Sequence, residues 1–272
     1  MPKSYNGAAM ANRIAAITGA SAGLGAVFAR KLAAQGYDVL LIARSRDRLY
    51  ELASELSSAH GIVAESIVAD LANLDDIDRV AARLACEPRL NLLVNNAGFG
   101  TRGRYYEAPL SEQVTMHRVH IDAIMRLSHA ALRAMVARDA GAIINVSSVA
   151  AFVRSPANVS YCATKAWINA FTEGLYLELA TTASKVTVQA LCPGFTYTDF
   201  HDVMGVNRAD IASWLWMKAD DVVDASLAAL PARKLFVIPG WKYRFFVAVA
   251  TKLPAALRLR MEARSPHTKS RM

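Results

Sequence analysis

Tyr161 and Lys165 stand four residues apart in Tyr161-Cys162-Ala163-Thr164-Lys165, and Ser148 lies 13 residues before the tyrosine. A free phenol gives up its proton only near pH ~10, and an ammonium held beside it favours the phenolate. On a helix, positions i and i+4 share a face, so Lys165 can act on Tyr161 from one turn away. A serine hydroxyl close by can hydrogen-bond a carbonyl oxygen that is being protonated. Together the three suit proton transfer between a carbonyl and its alcohol. Taken alone, the Tyr/Lys spacing equally describes a surface lysine beside a half-buried tyrosine, so the chemistry depends on the surrounding elements.

Those elements begin at Arg13. Ile14 and Ile17 sit in an apolar run that reads as a buried strand, followed by glycines at 19, 23 and 25. Ala26 to Gln35 then carries Val27, Phe28 and Leu32 at helical spacing, and Gly36 supplies a stop. Strand, glycine turn and helix make a phosphate-binding unit: glycine lets backbone N–H groups approach a pyrophosphate, and the helix N-terminus adds a favourable dipole. The spacing is G-x-x-x-G-x-G, and a tight turn without a ligand would look the same locally.

Further along, strand-like and helix-like segments alternate. Strands are expected at Asp38–Ala43, Ile62–Ala69, Asn91–Asn95, Ala142–Ser147, Val186–Cys192 and Leu235–Ile238. Helices are expected at Arg46–His60, Leu74–Ala85, Ser111–Arg138, Ser160–Thr181 and Asp220–Leu230. Such alternation argues for an α/β fold with a parallel sheet covered by helices on both faces. With 272 residues, 54% of them hydrophobic, the chain can bury one large core. The three cysteines, Cys86, Cys162 and Cys192, have no metal-binding spacing, no metal site is expected, and a reduced cytoplasmic setting suits them. No stretch reaches the ~18 apolar residues of a membrane span.

Thr18-Gly19-Ala20-Ser21-Ala22-Gly23-Leu24-Gly25, Asn95-Asn96-Ala97-Gly98, Ser148, Tyr161/Lys165 and Pro193-Gly194 resemble, in order and spacing, the short-chain dehydrogenase/reductase family. The resemblance runs from about Arg13 to Pro239. It implies a single Rossmann-type doubly wound sheet of about seven strands in the order 3-2-1-4-5-6-7, a nicotinamide cofactor, and oxidoreduction of a carbonyl or alcohol. Gly19, Ser21, Gly23, Leu24 and Gly25 would then hold the pyrophosphate. By the same resemblance Asp70 and Leu71 would meet the adenine edge, and Asn95, Asn96, Ala97 and Gly98 the adenosine side. Pro193, Gly194, Thr196 and Thr198 would meet the nicotinamide, with Tyr161 and Lys165 beside its ribose.

Strand two ends Ala43-Arg44-Ser45-Arg46, where NAD-preferring sites place an acid for the ribose 2′-OH. A guanidinium instead suits a 2′-phosphate, so Arg44 points to NADP(H) and the compact NADP(H)-preferring branch of the family; exposed arginines opening a helix are the alternative. The family's usual asparagine in the long helix, which supports a water relay to the lysine, aligns with His120. That departure leaves three readings for His120: a backbone relay, a titrating group that adds a pH dependence, or a space-filling ring.

The substrate side is less legible. Phe195, Phe200, Met204 and Trp214 in the loop 195–218, with Phe152 after Ser148, would form an apolar wall for a bulky, mainly apolar carbonyl compound, while His201 reads as a loop residue, with a polar substrate contact as the alternative. An NADP(H)-dependent ketone or aldehyde reductase is the leading expectation. The alternatives are a 3-oxoacyl thioester reductase and a low-turnover NADP(H)-binding sensor or scaffold. Residues 1–12 read as a tail and 13–240 as the domain. Residues 241–272 read as a basic amphipathic extension: Pro231–Met272 holds ten Lys/Arg against Glu262 alone, within a chain of net charge +8. Interleaved aromatics fit either contact with a membrane surface or packing on the domain or on another subunit. Nucleic acid is not an expected partner, since no recognition fold accompanies the charge. By resemblance, a homodimer or homotetramer would pair through the two long helices.

Overall fold

The computed structural model describes residues 13–101, 103–198 and 211–263. Among them β1 (Ile14–Thr18), β2 (Asp38–Ala43), β3 (Ala64–Val68), β4 (Leu90–Asn95), β5 (Ala142–Val146), β6 (Thr187–Leu191) and β7 (Phe236–Val237) form one sheet. The order is β3-β2-β1-β4-β5-β6-β7 and every pairing is parallel, so the expected architecture holds.

Side-chain alternation divides each central strand between two cores. Ala15 and Ile17 of β1 and Leu41 of β2 face one layer, with Phe28, Leu32, Leu49 and Val222 of the covering helices. Those residues lie on α1 (Gly23–Ala34), α2 (Arg46–His60) and, for Val222, α7 (Ala219–Ala229). Ile14, Ala16, Leu40 and Ile42 face the other, with Ile77, Leu84, Leu127 and Leu179. The helices there are α3 (Leu74–Ala85), α5 (Ala123–Ala137) and α6 (Val159–Thr181). A strand buried on both faces must be apolar at every position, which is why β1 and β2 read as continuous apolar runs. The edges differ: β3 carries Glu65 and Ser66, and β7 is two residues long, both features that discourage further strand pairing.

Local chemistry sets the helix ends. Asn73 caps α3, its Oδ1 accepting from the N–H groups of Asp75 (2.8 Å) and Asp76 (3.4 Å). Gly61 ends α2 in the left-handed region at φ 66°.

Several expected strands are a residue or two shorter at their ends, and one expected helix is interrupted. Strand Ile62–Ala69 is trimmed to Ala64–Val68, although Ala69 N–H still bonds to Ala43 O at 3.0 Å. The expected single helix Ser111–Arg138 becomes α4 (Leu110–His117), a wider π turn over Arg118–Asp122, and α5. Periodicity cannot see an inserted residue of this kind, and π turns concentrate at functional sites; this one carries His120.

Beyond β7 the chain continues into α8 (Trp241–Lys252) and α9 (Ala255–Ala263). Tyr243, Val247 and Ala250 of α8 are buried against the domain. Among the described residues no helix is long and apolar enough to cross a membrane.

Candidate active site

The sheet order reverses beside β1, between β1 and β4, the place where open α/β sheets form a crevice at their carboxyl ends. A cavity of about 1130 Å³ lies there. It starts at the turn between β1 and α1 and runs past β4, β5 and α6 to the loop after β6 and to α8.

Backbone and side-chain bonds fix the turn. Thr18 Oγ1 accepts from the N–H groups of Asn96 (2.9 Å) and Ala97 (3.0 Å), and Asn96 Nδ2 donates to Thr18 O at 2.9 Å. Gly19 has φ 65°, and a Cβ there would meet Asn96 Nδ2 at 2.8 Å. A Cβ on Gly25 would land on the Gly19 carbonyl, so α1 can start this close to the turn only through glycine. Ala22, which precedes α1, offers no side-chain cap. The first N–H groups of α1 therefore remain as donors for an anion. Gly19, Ser21, Gly23, Leu24, Asn96, Ala97 and Gly98 all line the cavity, as does Arg44, exposed at the end of β2. These features fit a phosphate-bearing dinucleotide.

The two residues expected at the adenine edge follow β3 directly. Leu71 is buried in the core, and Asp70 lines a separate small recess with Arg118. The Asp70 carboxylate accepts from Ala72 N–H at 3.0 Å and so closes the turn after β3. Asn95 is below the cavity, where its Nδ2 donates to Ser128 Oγ (3.1 Å) and Asn145 Oδ1 (2.9 Å).

Ser148, Tyr161 and Lys165 converge on the cavity wall. Ser148 Oγ accepts from Ala150 N–H at 3.1 Å, which fixes the short helical turn Val149–Phe152. Lys165 Nζ donates to Val146 O at 2.8 Å and lies 5.6 Å from the centre of the Tyr161 ring. Ser147 Oγ donates to Lys165 O at 3.0 Å, clasping α6 to the end of β5. Burial lowers the lysine pKa to about 7, countered weakly by Cys192. Burial also pushes the Cys192 thiol up to about 12, so near neutrality that thiol is uncharged and offsets little.

The sign of the resulting pH effect follows from linkage. The unfolded chain keeps the Lys165 proton up to about 10.5, and the folded chain releases it at about 7. Between those values the unfolded state binds more protons, so stability rises with pH across that window. Thermal melting from pH 7 to 10 should show this rise, and Lys165→Met should flatten it; an unchanged slope in the variant would contradict the lowered pKa of the buried lysine.

His120 is fully buried, and both ring nitrogens are engaged. Thr164 Oγ1 donates its one proton to Tyr161 O at 2.9 Å, so at the His120 Nδ1 contact of 2.9 Å the threonine must accept. His120 Nε2 in turn accepts from Phe99 N–H at 3.2 Å. Both contacts demand the Nδ1–H tautomer. Desolvation, with the charges of Lys165 and His117, lowers the pKa of His120 well below the usual value. Of the three readings of His120, this environment opposes the titrating group: the neutral ring bridges the Phe99 backbone to the helical turn that presents Tyr161. It also does more than fill space, since each nitrogen carries a bond.

On the substrate side, Phe195 and Trp214 line the cavity. Phe152 does not; it packs edge-on against Phe236 with ring centres 6.2 Å apart. Phe200, His201 and Met204 lie outside the described residues. Sequence reading missed Asn158 and the α8 residues Trp241, Phe245, Phe246 and Val249, all of which line the cavity. The aromatic spacing in α8 was the available signal, but it does not reveal which way the helix folds back. The anchor is Tyr243, whose hydroxyl donates to Leu215 O (2.6 Å) and accepts from Phe195 N–H (3.0 Å).

The chain's residues 13–208 match the family model described as short chain dehydrogenase. Among solved structures, a short-chain dehydrogenase from Sphingobium yanoikuyae in complex with NADPH shares 30% identity, covering 90% of this chain and 97% of that one, at a TM-score of 0.80. The bulky-bulky ketone specific alcohol dehydrogenase from Comamonas testosteroni shares 28%, covering 90% and 96%, at 0.75. The very-long-chain 3-oxoacyl-CoA reductase of Anas platyrhynchos is 32% identical over 68% of this chain and 60% of its own.

Proposed function

The chain belongs to the short-chain dehydrogenase/reductase family, and from that premise we propose that it is an NADP(H)-dependent oxidoreductase interconverting a bulky, mainly apolar ketone or aldehyde with its alcohol. The observation that carries the reading is the convergence of Ser148, Tyr161 and Lys165 on one cavity that begins at the glycine turn. The turn and the uncapped start of α1 would hold the pyrophosphate, and Thr196 and Thr198 line the far end of the path. When bound, the dinucleotide supplies a hydride equivalent at its nicotinamide ring.

In the direction of reduction, Ser148 Oγ and the Tyr161 hydroxyl bind the substrate oxygen. As the carbonyl carbon gains hydride, Tyr161 gives its proton to the developing alkoxide, and the new O–H bond completes the alcohol. The phenolate left behind is stabilised by the Lys165 ammonium. Because that ammonium loses its proton near pH 7 in the free chain, kcat/KM for reduction is expected to fall as pH rises above about 7, with an apparent pKa belonging to the Tyr161/Lys165 pair.

Arg44 supports the preference for NADP(H). No carboxylate pairs with it among the described residues, and it lines the cavity at the end of β2. A charge-assisted bond to a phosphate contributes ~1.5–3 kcal/mol. Arg44→Ala is thus expected to weaken NADPH about 10–100-fold and NADH little; equal loss for both would remove the argument.

Purified protein should oxidise NADPH with members of a panel of hydrophobic ketones, aldehydes and steroids. Tight NADPH binding without any turnover would count against the reading. A second reading, 3-oxoacyl thioester reduction, draws on the similarity to the long-chain reductase; faster turnover of 3-oxoacyl-CoA than of any free ketone would favour it. Assembly as a homodimer or homotetramer through α5 and α6 belongs to the same proposal: their outer faces leave Met125, Val136, Tyr176 and Leu177 exposed. A monomer mass by light scattering would overturn that part.

A further inference from the structure

A surface helix normally turns its apolar residues inward and shows water a polar face. α8 departs from this. Its inner positions Tyr243, Val247 and Ala250 are buried, yet Trp241 (67% exposed), Phe245 (67%) and Val249 (41%), at i, i+4 and i+8, face solvent beside Phe246 (48%). Trp214 (60%) stands next to them, and Leu257 and Leu259 of α9 extend the exposed apolar surface. The four α8 residues and Trp214 also line the cavity, so they form its mouth.

Cations frame this surface. Lys242, Arg244, Lys252, Arg258 and Arg260 lie within it, and no acid occurs between Trp241 and Arg260. Among the described residues none of the five pairs with a carboxylate. Lys242 Nζ instead sits over the rings of Trp214 (4.8 Å) and Trp241 (5.9 Å) and donates to Trp214 O at 3.3 Å. Elsewhere the surface mixes signs: exposed Tyr105 and Tyr106 stand beside the Arg104–Glu107 pair.

From these observations we infer that the outward face of α8, with Trp214 and the start of α9, docks on an anionic lipid bilayer, and that the cavity opens onto it. Aromatic rings and long basic side chains suit the headgroup level, with aliphatic residues reaching further in. The charge selects an anionic surface, and it opposes a second copy of the same face, which would set like charges against each other. An apolar substrate would then enter from the bilayer without crossing water.

The test uses the full chain with vesicles of phosphatidylcholine alone or mixed with phosphatidylglycerol. Recovery on the anionic vesicles is expected to exceed that on phosphatidylcholine about tenfold or more and to fall with added salt. Brominated lipid should quench tryptophan fluorescence, and Trp241→Phe should reduce the quench while docking persists. Arg244→Glu/Lys252→Glu, two positions outside the cavity lining, should bring recovery down to the phosphatidylcholine level with NADPH binding unchanged. No recovery on either vesicle overturns the inference, as does equal recovery on both. Concentration-dependent self-association without vesicle binding, or binding to an oligonucleotide duplex in place of vesicles, overturns it too. None of these outcomes bears on whether the chain turns over ketones in solution.

Discussion

Tyr161→Phe is expected to lower kcat about 10²–10⁴-fold, the usual contribution of a positioned general acid, while NADPH binds with near wild-type affinity. The substitution removes one oxygen and little else. The ring packs edge-on against His120, with centres 5.9 Å apart, and lies 5.6 Å from Lys165 Nζ, and both relations survive in phenylalanine. Thr164 still donates to the backbone carbonyl at 161, so the local helix keeps its shape. Steady-state turnover with the best substrate of the panel, beside a fluorescence titration of NADPH, separates the two effects. A wild-type rate would show that the proton comes from elsewhere, and the mechanism above would be wrong. Loss of NADPH binding would show instead that the tyrosine acts in assembling the site.

Gly194→Ala is expected to destabilise the fold by ~3 kcal/mol, combining overpacking with lost buried hydrogen bonds. For a domain of this size that is a fall of about 6–12 °C in Tm. A methyl at position 194 would land within the Tyr243 ring, close to Cζ, Cε1 and Cε2 at once, so the whole ring must shift. Moving it breaks the bonds of its hydroxyl to Leu215 O and Phe195 N–H. Those bonds matter because the hydroxyl is buried, which pushes its pKa up to about 12. Differential scanning calorimetry of Gly194→Ala, Tyr243→Ala and the double variant closes a double-mutant cycle. The second substitution should cost far less in the presence of the first. Full additivity, or an unchanged Tm for Gly194→Ala, would mean that α8 is not clamped to the loop after β6 by this contact. Activity should fall with stability, because the same contact positions the α8 wall of the cavity.

Much of the architecture was legible because it rests on short-range patterns. The apolar runs of β1 and β2 and the helical spacing between them determine a parallel sheet with covered faces, whatever the side-chain details. The Tyr161/Lys165 pair was legible for the same reason: four residues on a helix define one face. The glycine turn was legible through a steric demand that few other residues meet, and the packing at Gly19 and Gly25 shows the demand is real.

Tertiary structure alone decided matters that join residues far apart in the chain. His120 could be aligned, but its tautomer depends on Phe99 and on Thr164, 44 positions later, and its charge state depends on complete desolvation. Phe152 looked like a site residue by neighbourhood, yet it meets Phe236. The basic segment after Gly240 kept two readings open, since composition reports charge and apolarity without direction. The buried Tyr243 hydroxyl bonds residues 28 and 48 positions earlier and so fixes that direction. It turns Tyr243, Val247 and Ala250 inward against the domain and leaves the aromatic and basic face of α8 exposed at the mouth of the cavity. Periodicity specifies which residues share a face; the packing free energy of distant partners decides what that face meets.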